Sequence, residues 1–290
     1  MIFWYYTPTA LAISYHLLPD AVIYDCMDEL SLFKMAPPTL RELERHLFGR
    51  ADVVFTGGHA LFEAKRHYHH NIYEFPSSVD VGHFSKARSS KSSPQDAAHI
   101  KRPQIGFFGV IDERMDLELL AGMAAARRDW QFVMIGPVVK VDPGSLPDHD
   151  NIHWMGPRPY SALPDYIGSW DVGLMPFAIN DATRFISPTK TLEFLAAGCP
   201  VVSTPITDVV TPYGVRGLVE IAATVGEALE CTERLMLQED RTQWLQAVDA
   251  YLAGRSWDAT WAEMHAHIEK CLRHGRRRAV AQDLREAAYV

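Results

Sequence analysis

The stretch from Phe185 to Pro205 constrains the fold of this chain more than any other, because it predicts a loop, a helix, a turn and a strand in direct succession. Ser187 is a good N-cap residue, and Pro188 suits the first helical position, where its missing N–H costs nothing. Gly198 ends the predicted helix, and the β-branched residues from Val201 onward predict a strand. This alternation is typical of an α/β protein with a parallel sheet.

Two charged residues on this helix indicate a ligand that carries both phosphate and sugar. Lys190 adds a positive charge to the first turn, where free N–H groups and the helix dipole already favour an anion. Glu193 lies three residues further along on the same face and offers a carboxylate to sugar hydroxyls. A nucleotide sugar fits this pair. An ordinary capped helix with a Lys–Glu pair on its surface is an equally good interpretation of the local pattern.

Length and charge exclude several classes of protein. The chain has 290 residues, enough for one large or two ordinary domains, and a net charge of −8 argues against a nucleic-acid binder. Its four cysteines form no CxxC pair, which favours a reduced, cytoplasmic protein. The sequence has no apolar run of about 18 residues that would predict a transmembrane helix, and the first residues lack the basic start of a secretion signal.

Strands alternating with helices run along the whole chain and predict two α/β domains. The first covers residues 1–84 and contains four short predicted strands. A segment rich in Ser, Lys and Pro, residues 85–103, predicts a surface linker. The second domain covers residues 104–255, and residues 256–290 form closing helices.

Several blocks of this sequence resemble one enzyme family. The segment SPTKTLEFLAAGCPVVST is similar to the donor-site segment of GT-B glycosyltransferases, especially family 4. The blocks YDCMDE, FTGG, FPSSVD, GFFGVIDER and FISPTKTLE resemble a bacterial subgroup related to teichuronic-acid enzymes. The resemblance implies two Rossmann-like domains of the GT-B type. It also implies transfer of a sugar from a nucleotide diphosphate sugar to a hydroxyl acceptor, with retention of configuration and without a metal or another cofactor. The acceptor would be a glycan or a lipid-linked precursor of a cell-envelope polysaccharide.

The resemblance assigns donor-binding roles around the organising helix. Glu193 would hold the nucleotide ribose, and Lys190 with the backbone near Ser187 and Thr189 would face the diphosphate. The family has an acidic residue eight positions before this glutamate, where it contacts the donor sugar. Phe185 stands at that position here, so the resemblance does not carry this contact over.

The block GFFGVIDER is predicted to form the first loop of the donor domain. Gly109 allows a ligand to approach the backbone closely, and Arg114 could grip a diphosphate with its forked guanidinium. Asp112 and Glu113 make the loop acidic, which disfavours a bare diphosphate. A solvated charge at the start of a helix is the alternative interpretation of Arg114.

Two further segments follow predicted strands and would approach the base or the donor sugar. Arg158 lies in the turn where the family has its base pocket, although a surface arginine is an equal alternative. Asn180, Thr183 and Arg184 belong to the loop that leads into Lys190, so we expect them near the donor sugar rather than in an unrelated polar loop.

The acceptor side is predicted at the ends of the first strands. Tyr6 occupies the place of a histidine that lies near the reacting centre in the family, so that role does not transfer. Asp25, Asp28 and Glu29 are candidates for binding acceptor hydroxyls. A solvated acidic loop explains the same residues equally well.

The first domain is predicted to be incomplete. Its first strand begins at Ile2, whereas the acceptor domain of the resembled family begins several strands earlier, with a Gly-rich loop. We therefore expect exposed apolar edges in this domain and a lower stability than in the second one.

Two further sites and two alternative functions remain to be weighed. His67, His69 and His70 could suggest a metal, but they lack a clear carboxylate or cysteine partner and are more often helix-end residues. The basic tail from Arg273 to Arg278 is a candidate for contact with anionic lipid at the inner face of the membrane, and a frayed chain end is the alternative interpretation. The alternative functions are a degenerate, non-catalytic nucleotide-sugar-binding protein and a nucleotide-sugar epimerase of the same architecture.

Overall fold

Two parallel β-sheets organise this chain in the computed structural model, which describes the backbone of residues 1–89 and 93–287 and side chains as far as Arg273. One compact unit contains Met1–Ser77, Phe185–Ser187 and the segment from Trp257 onward. The other contains Ser78–Arg184 and Pro188–Ser256. The α/β class predicted from the alternation of strands and helices is confirmed.

The first unit is built on a four-stranded sheet in which every neighbouring pair is parallel. The strands follow each other in chain order across the sheet, so each connection crosses to the adjacent strand. Its strands are β1 (Ile2–Tyr5), β2 (Ala21–Cys26), β3 (Val53–Thr56) and β4 (Ile72–Glu74), and its first three helices are α1 (Leu11–Ser14), α2 (Leu40–Arg50) and α3 (His59–Lys65).

Alternate residues of these strands build a core on each face of the sheet, as the two-residue period of a strand requires. Tyr24 packs on one face with Leu47 and Leu61 from the helices. Ile23, next to Tyr24 in β2, faces the opposite side and packs with Ile268 of the last helix. The first sheet is therefore covered partly by the far end of the chain.

The second unit is a six-stranded parallel sheet with the order β10-β9-β8-β5-β6-β7. The chain adds strands on one side of β5 and then returns to add β8 on the other side, which is the strand order of a Rossmann fold. The strands are β5 (Gln104–Phe108), β6 (Gln131–Ile135), β7 (Ile152–Gly156), β8 (Val172–Met175), β9 (Val201–Ser203) and β10 (Glu220–Ile221).

Helices cover both faces of this sheet in the manner of a doubly wound fold. One core cluster contains Phe132 and Leu174 from the sheet with Leu120 and Met123 from a helix, all of them buried. The helices of this unit are α4 (Val81–Phe84), α5 (Leu117–Ala126), α6 (Leu163–Ser169), α7 (Lys190–Ala196), α8 (Thr207–Val210), α9 (Val225–Leu237) and α10 (Thr242–Leu252).

The start of α7 corrects the sequence prediction. Its N-cap is Thr189, which makes no side-chain capping bond, so the prediction that Ser187 caps this helix was wrong. Pro188 instead opens the turn before the helix, because its carbonyl accepts from the Thr191 N–H at 3.1 Å. The helix has seven residues, so the charge of Lys190 contributes more than a dipole from so short a segment.

Two other segments differ from their predictions. Residues 256–290 were predicted to form more than one closing helix, and their described part forms a single helix, α11 (Trp257–Ala287). The described part of the predicted linker, residues 85–103, lies within the second unit, with Ala87 and Ile100 buried. The prediction used the average composition of the segment, which does not show that a few of its apolar residues are buried. The domain boundaries drawn from the sequence stay a prediction.

Candidate functional site

A lysine lies directly over a glycine where the strand order of the second sheet reverses. Gly109 follows β5 with φ +132°, and a Cβ added to it would lie 2.1 Å from Cε and 2.6 Å from Nζ of Lys190. Only glycine leaves room for the lysine there. Gly136, after β6, approaches the same turn so closely that its Cβ would lie 1.7 Å from the Gly109 carbonyl oxygen. Open α/β sheets bind ligands outside the carboxyl ends of their strands at this place.

The Lys190 ammonium group is partly buried and suited to an anionic ligand. Burial lowers its pKa, and the nearby charge of Arg114 lowers it further, while Glu193 and Asp112 oppose the shift. The Nζ atom lies 5.7 Å from the centroid of the Phe107 ring. An anion bound at this lysine would restore the charged form that burial disfavours.

Glu193 lies one turn after Lys190 and is also held away from water. Burial raises its pKa to about 7, and Lys190 acts in the opposite direction. Tyr160 is a neighbour that sequence reasoning missed: burial raises the pKa of its hydroxyl, and the charges of Glu193 and Asp80 add to this. Lys190, Glu193 and Tyr160 therefore form one group of polar side chains around the switch point.

The Tyr160 ring is held in place by a histidine. His83 stacks on it with ring centroids 4.5 Å apart and an angle of 12° between the planes. The His83 Nε2 atom lies 3.0 Å from the Tyr160 carbonyl oxygen. Tyr160 comes two residues after Arg158, which lies in the predicted base-pocket turn. An aromatic side chain so close to that turn was the sequence signal that could have identified Tyr160 as a site residue.

Arg114 is oriented by Asp112, one of the two acidic residues that made diphosphate binding by this loop less favourable in the sequence analysis. Its Nη2 donates to Asp112 Oδ2 at 2.7 Å, and its Nε donates to Asp112 Oδ1 at 3.0 Å. This forked pair fixes the guanidinium beside the turn that carries Gly109. The structure thus brings together Gly109, Arg114, Lys190 and Glu193 of the predicted donor residues.

Arg158 is held by hydrogen bonds to residues inside and outside its own turn. Its Nη2 donates to Asp96 at 2.6 Å, its Nε donates to the Tyr166 hydroxyl at 2.8 Å, and its Nη1 donates to the Met155 carbonyl at 2.6 Å. These contacts tie the turn after β7 to the segment before β5. A role in a base pocket stays a prediction.

Some of the predicted residues in the loop before α7 hold the loop together, and others are exposed to solvent. Thr183 is buried, and its hydroxyl accepts from the Asn180 N–H at 3.1 Å, while the Asn180 side chain accepts from the Thr183 N–H at 3.2 Å. Arg184 is exposed. Phe185 packs against the Tyr24 core cluster of the first unit, and Ser187 belongs to that unit as well.

Asp25 is the most buried of the predicted acceptor residues. Its Oδ2 accepts from the Trp4 indole N–H at 3.1 Å. Burial raises its pKa to about 6, against the lowering effect of that hydrogen bond. Tyr6 is exposed, and the pKa of its hydroxyl is raised by burial and by the charge of Asp25. These two residues are therefore close neighbours.

Glu29 is engaged in an ion pair. Its carboxylate lies 2.5 Å from the buried ammonium of Lys65, which also binds Glu44 at 2.6 Å. Burial raises the pKa of Glu29, but the hydrogen bonds from Lys65 and Ser31 outweigh it and lower the pKa overall. Asp28 is partly buried, and its carbonyl accepts from the Cys26 thiol at 3.7 Å. The acidic residues of this loop are thus not a uniformly solvated patch.

Neither a metal site nor a membrane span is found in the part of the chain that the structure describes. The described side chains, those of residues 1–89 and 93–273, include no group of three or more His, Cys, Asp or Glu that could hold a metal ion. No described helix is long and apolar enough to cross a bilayer. Beyond Arg273, the side chains of the predicted basic tail lie outside the described residues.

Comparison with known families identifies the class of protein. The sequence profile of the family described as Glycosyl transferases group 1 matches residues 102–252, which is about half of the chain, so the chain belongs to this family. The match covers most of the second unit, including Gly109, Lys190 and Glu193.

A curated relative narrows the comparison. The chain is 28% identical over 222 residues to TuaH of Bacillus subtilis, a protein named for glycosyl transfer in teichuronic acid biosynthesis. The match covers 69% of this chain and 54% of the relative, so the chain spans about half the length of that protein.

Solved structures share the fold at low sequence identity. Sucrose-phosphate synthase from Thermosynechococcus elongatus matches 93% of this chain and 72% of its own, with a TM-score of 0.71 and 13% identity. HepE from Anabaena, solved with UDP and glucose, matches 93% and 77%, with a TM-score of 0.67 and 14% identity. TarM from S. aureus, solved with UDP and a glycosylated glycerol, matches 92% and 55%, with a TM-score of 0.64 and 10% identity. The predicted GT-B fold class is confirmed, while the incompleteness of its first domain stays a prediction.

Proposed function

We propose that this chain takes part in transferring a sugar from a nucleotide diphosphate sugar to a hydroxyl acceptor during synthesis of a glycan or cell-envelope polysaccharide. One observation carries the proposal: Lys190 lies over Gly109 at the switch point of the second sheet, and Glu193 follows one turn later. A cation and a carboxylate at that spacing match the diphosphate and the ribose of one ligand.

The proposed chemistry centres on the leaving diphosphate. The bond between the sugar C1 and the diphosphate oxygen breaks, the acceptor oxygen bonds to C1, and the acceptor hydroxyl passes its proton to the leaving diphosphate. Lys190, with Arg114 nearby, stabilises the negative charge that develops on the diphosphate. Glu193 accepts hydrogen bonds from the ribose hydroxyls. Retention of configuration and the absence of a cofactor are parts of this proposal that follow from the resemblance.

The relatives support the choice of donor and acceptor. HepE was solved with UDP-glucose, and TarM with UDP and a glycosylated glycerol. TuaH is named for a cell-envelope polymer. We therefore propose a uridine nucleotide as the first donor to test and an envelope glycan, free or lipid-linked, as the acceptor. With a lipid-linked acceptor, the reaction would take place at the cytoplasmic face of the membrane.

A second candidate function has one observation in its favour. Phe185 replaces the acidic residue that contacts the donor sugar in the resembled family, and its ring packs in an apolar cluster. A protein that binds a nucleotide sugar without transferring it would need no carboxylate there. Donor turnover measured with and without envelope glycans separates the two functions, because a binding protein turns over no donor in either case.

Calorimetry on the full chain tests the donor site directly. We expect Glu193→Ala and Lys190→Met each to weaken UDP binding roughly 10- to 100-fold, since each removes a hydrogen bond to a charged group worth about 1.5–3 kcal/mol. Glu230→Ala and Lys101→Met change exposed residues of the same unit and serve as matched controls. Unchanged affinity in folded Glu193→Ala and Lys190→Met would reject the site.

A further inference from the structure

Three aromatic rings gather beside a buried carboxylate in the first unit. The ring of Trp4 lies 6.3 Å from Tyr6 and 5.9 Å from Trp261, measured between centroids. We call Trp4, Tyr6 and Trp261 the aromatic cluster. The indole N–H of Trp4 also donates to Asp25, so the cluster and the carboxylate are joined by a hydrogen bond.

The fold explains why these four residues meet. Trp4 and Tyr6 are two residues apart at the end of β1 and so face the same side of the sheet. Trp4 pairs with Ile23 in β2, and Asp25 is two residues after Ile23, which places it beside Tyr6 on that side. α11 covers this face and contributes Trp261.

Exposure distinguishes this cluster from ordinary core packing. Tyr6 is 62% exposed and Trp261 is 50% exposed, whereas Asp25 is only 5% exposed. Large aromatic side chains usually bury most of their surface. Within the described residues, the Asp25 carboxylate has one side-chain hydrogen bond, from Trp4. The arrangement therefore combines accessible ring surface with a shielded hydrogen-bond acceptor.

We propose that the aromatic cluster and Asp25 form a subsite for an uncharged hexopyranose ring of the acceptor. This inference rests on the proposed function, because it identifies part of the acceptor for that reaction. The C–H face of a pyranose ring packs against aromatic rings, and a sugar hydroxyl donates to the Asp25 carboxylate. A uronate would bring a second carboxylate next to Asp25, and like charges at that distance repel each other. The subsite thus selects a neutral sugar.

Saturation-transfer NMR on the full chain tests the subsite with defined probes. The probes are methyl β-D-glucopyranoside, methyl β-D-galactopyranoside and methyl β-D-glucopyranosiduronate at about pH 7.5, where Asp25 is ionised. We expect the two neutral glycosides to bind and the uronate to bind at least severalfold more weakly. Equal binding of the uronate, or no binding of either neutral sugar, would overturn the proposal.

Variants separate the subsite from general effects on folding. We expect Trp261→Ala to weaken neutral-sugar binding about three- to tenfold, in line with the loss of one ring contact, and Trp261→Phe to restore part of it. Tyr15→Ala removes another exposed aromatic ring from the same unit and should leave sugar binding unchanged. An equal loss in Tyr15→Ala would contradict the assignment.

The same samples distinguish failure of the subsite from failure of the proposed donor site. UDP titration of the wild type and of Trp261→Ala should give equal affinities, because Trp261 belongs to the first unit and Lys190 to the second. Sugar binding lost together with UDP binding in Trp261→Ala would indicate a general folding effect and overturn the subsite. If the wild type binds neutral glycosides but not UDP, the subsite stands and the donor assignment fails.

Discussion

Lys190 and Glu193 are more informative together than either residue is alone. Burial lowers the pKa of the lysine and raises that of the glutamate to about 7, so burial disfavours the charged form of each residue. A diphosphate next to the lysine and ribose hydroxyls next to the carboxylate would each stabilise the charged form. The proposed ligand would therefore compensate the cost of burying both groups.

This leads to a pH-dependent affinity for UDP-glucose, whose diphosphate keeps its charge across neutral pH. A raised carboxyl pKa means that Glu193 is ionised above about 7 and protonated below it. If the carboxylate accepts the ribose hydroxyls, the association constant should fall as pH drops through 7. Calorimetry between about pH 5.5 and pH 8.5 measures this. Glu193→Gln should remove this pH dependence, and an unaltered profile in that variant would contradict the role of Glu193.

Phe185 should act through packing rather than through sugar selection. Its ring contacts the apolar cluster that contains Tyr24 and Leu61. Phe185→Glu places a carboxylate there and should destabilise the first unit by about 1–3 kcal/mol, whereas Phe185→Leu should cost less than about 1.5 kcal/mol. Chemical denaturation measures both. An equally stable Phe185→Glu protein with altered donor-sugar preference would show instead that this residue faces the sugar.

Sequence reasoning at the residue scale succeeded where a motif and a local spacing agreed. The spacing in TKTLE placed Lys190 and Glu193 on one helical face, and the glycine after β5 indicated a close approach. Tyr160 was missed because its neighbourhood with Glu193 depends on the packing of two distant segments. The grip of Asp96 on Arg158 also joins residues far apart in the chain, so no local pattern could predict it.

The turn after β5 is the element on which the donor site depends most. The Lys190 side chain lies against the Gly109 backbone of this turn. The turn at Gly136, after the adjacent strand, packs against that same backbone. The two glycines differ in what their substitution would meet. A side chain at Gly109 meets the flexible end of Lys190, but a side chain at Gly136 meets the backbone oxygen of Gly109.

Gly109→Ala should therefore weaken UDP binding more than it weakens the fold. The added methyl would displace the Lys190 ammonium, which lies within 2.6 Å of the new atom. We expect at least a tenfold loss of affinity, the equivalent of about 1.4 kcal/mol. Gly217→Ala is the matched control, because Gly217 also has a positive φ, +67°, and nothing lies within 4 Å of its added atom. Calorimetry and thermal unfolding compare the two, and normal UDP affinity in Gly109→Ala would contradict the geometry.

Elements were predicted well where periodicity was strong and poorly where chain context decided. The β-branched residues from Val201 onward predicted the strand that the structure shows as β9 (Val201–Ser203). The N-terminus of α7 was placed too early, because Ser187 and Pro188 satisfy the local rules for a helix start yet form a turn. Capping preferences describe an isolated helix, and tertiary packing of the preceding loop overrode them here.

At the scale of the whole molecule, the two units differ in their protection from solvent. The first sheet has four strands, and β1 lies at its edge with Ile2 exposed. The second sheet has six strands, and its central strand β5 is buried along its whole length. Edge strands and small sheets open more readily than central strands of larger ones.

Hydrogen exchange should resolve this difference. We expect amides in residues 1–77 to exchange faster than those in residues 104–252, with β1 among the fastest of the strands. Mass spectrometry after digestion measures the two regions in one sample. Uniformly slow exchange in both regions would show that the four-stranded unit is as stable as its larger neighbour in the chain.

The alternation of strands and helices in the sequence predicted the α/β architecture. It did not predict which segments belong to which unit. Strand–helix repeats predicted both sheets, because the βαβ rule depends on sequence order alone. Nothing in the sequence around Trp257 indicated that α11 would pack against the first sheet rather than the second. Both sheets have apolar faces, so the sheet that α11 covers depends on how well the side chains pack in each core, which the sequence alone does not show.

The position of α11 reverses the order in which the two units can mature on the ribosome. Ile23, Val53 and Phe55 leave the exit tunnel early, yet their cover, Ile268, is translated after the whole second unit. Domains usually fold in the order of their synthesis. Here the nascent chain can complete the second unit while the first unit still exposes an apolar sheet face to solvent. Chaperones that hold such surfaces during translation would thus act on the part that was made first.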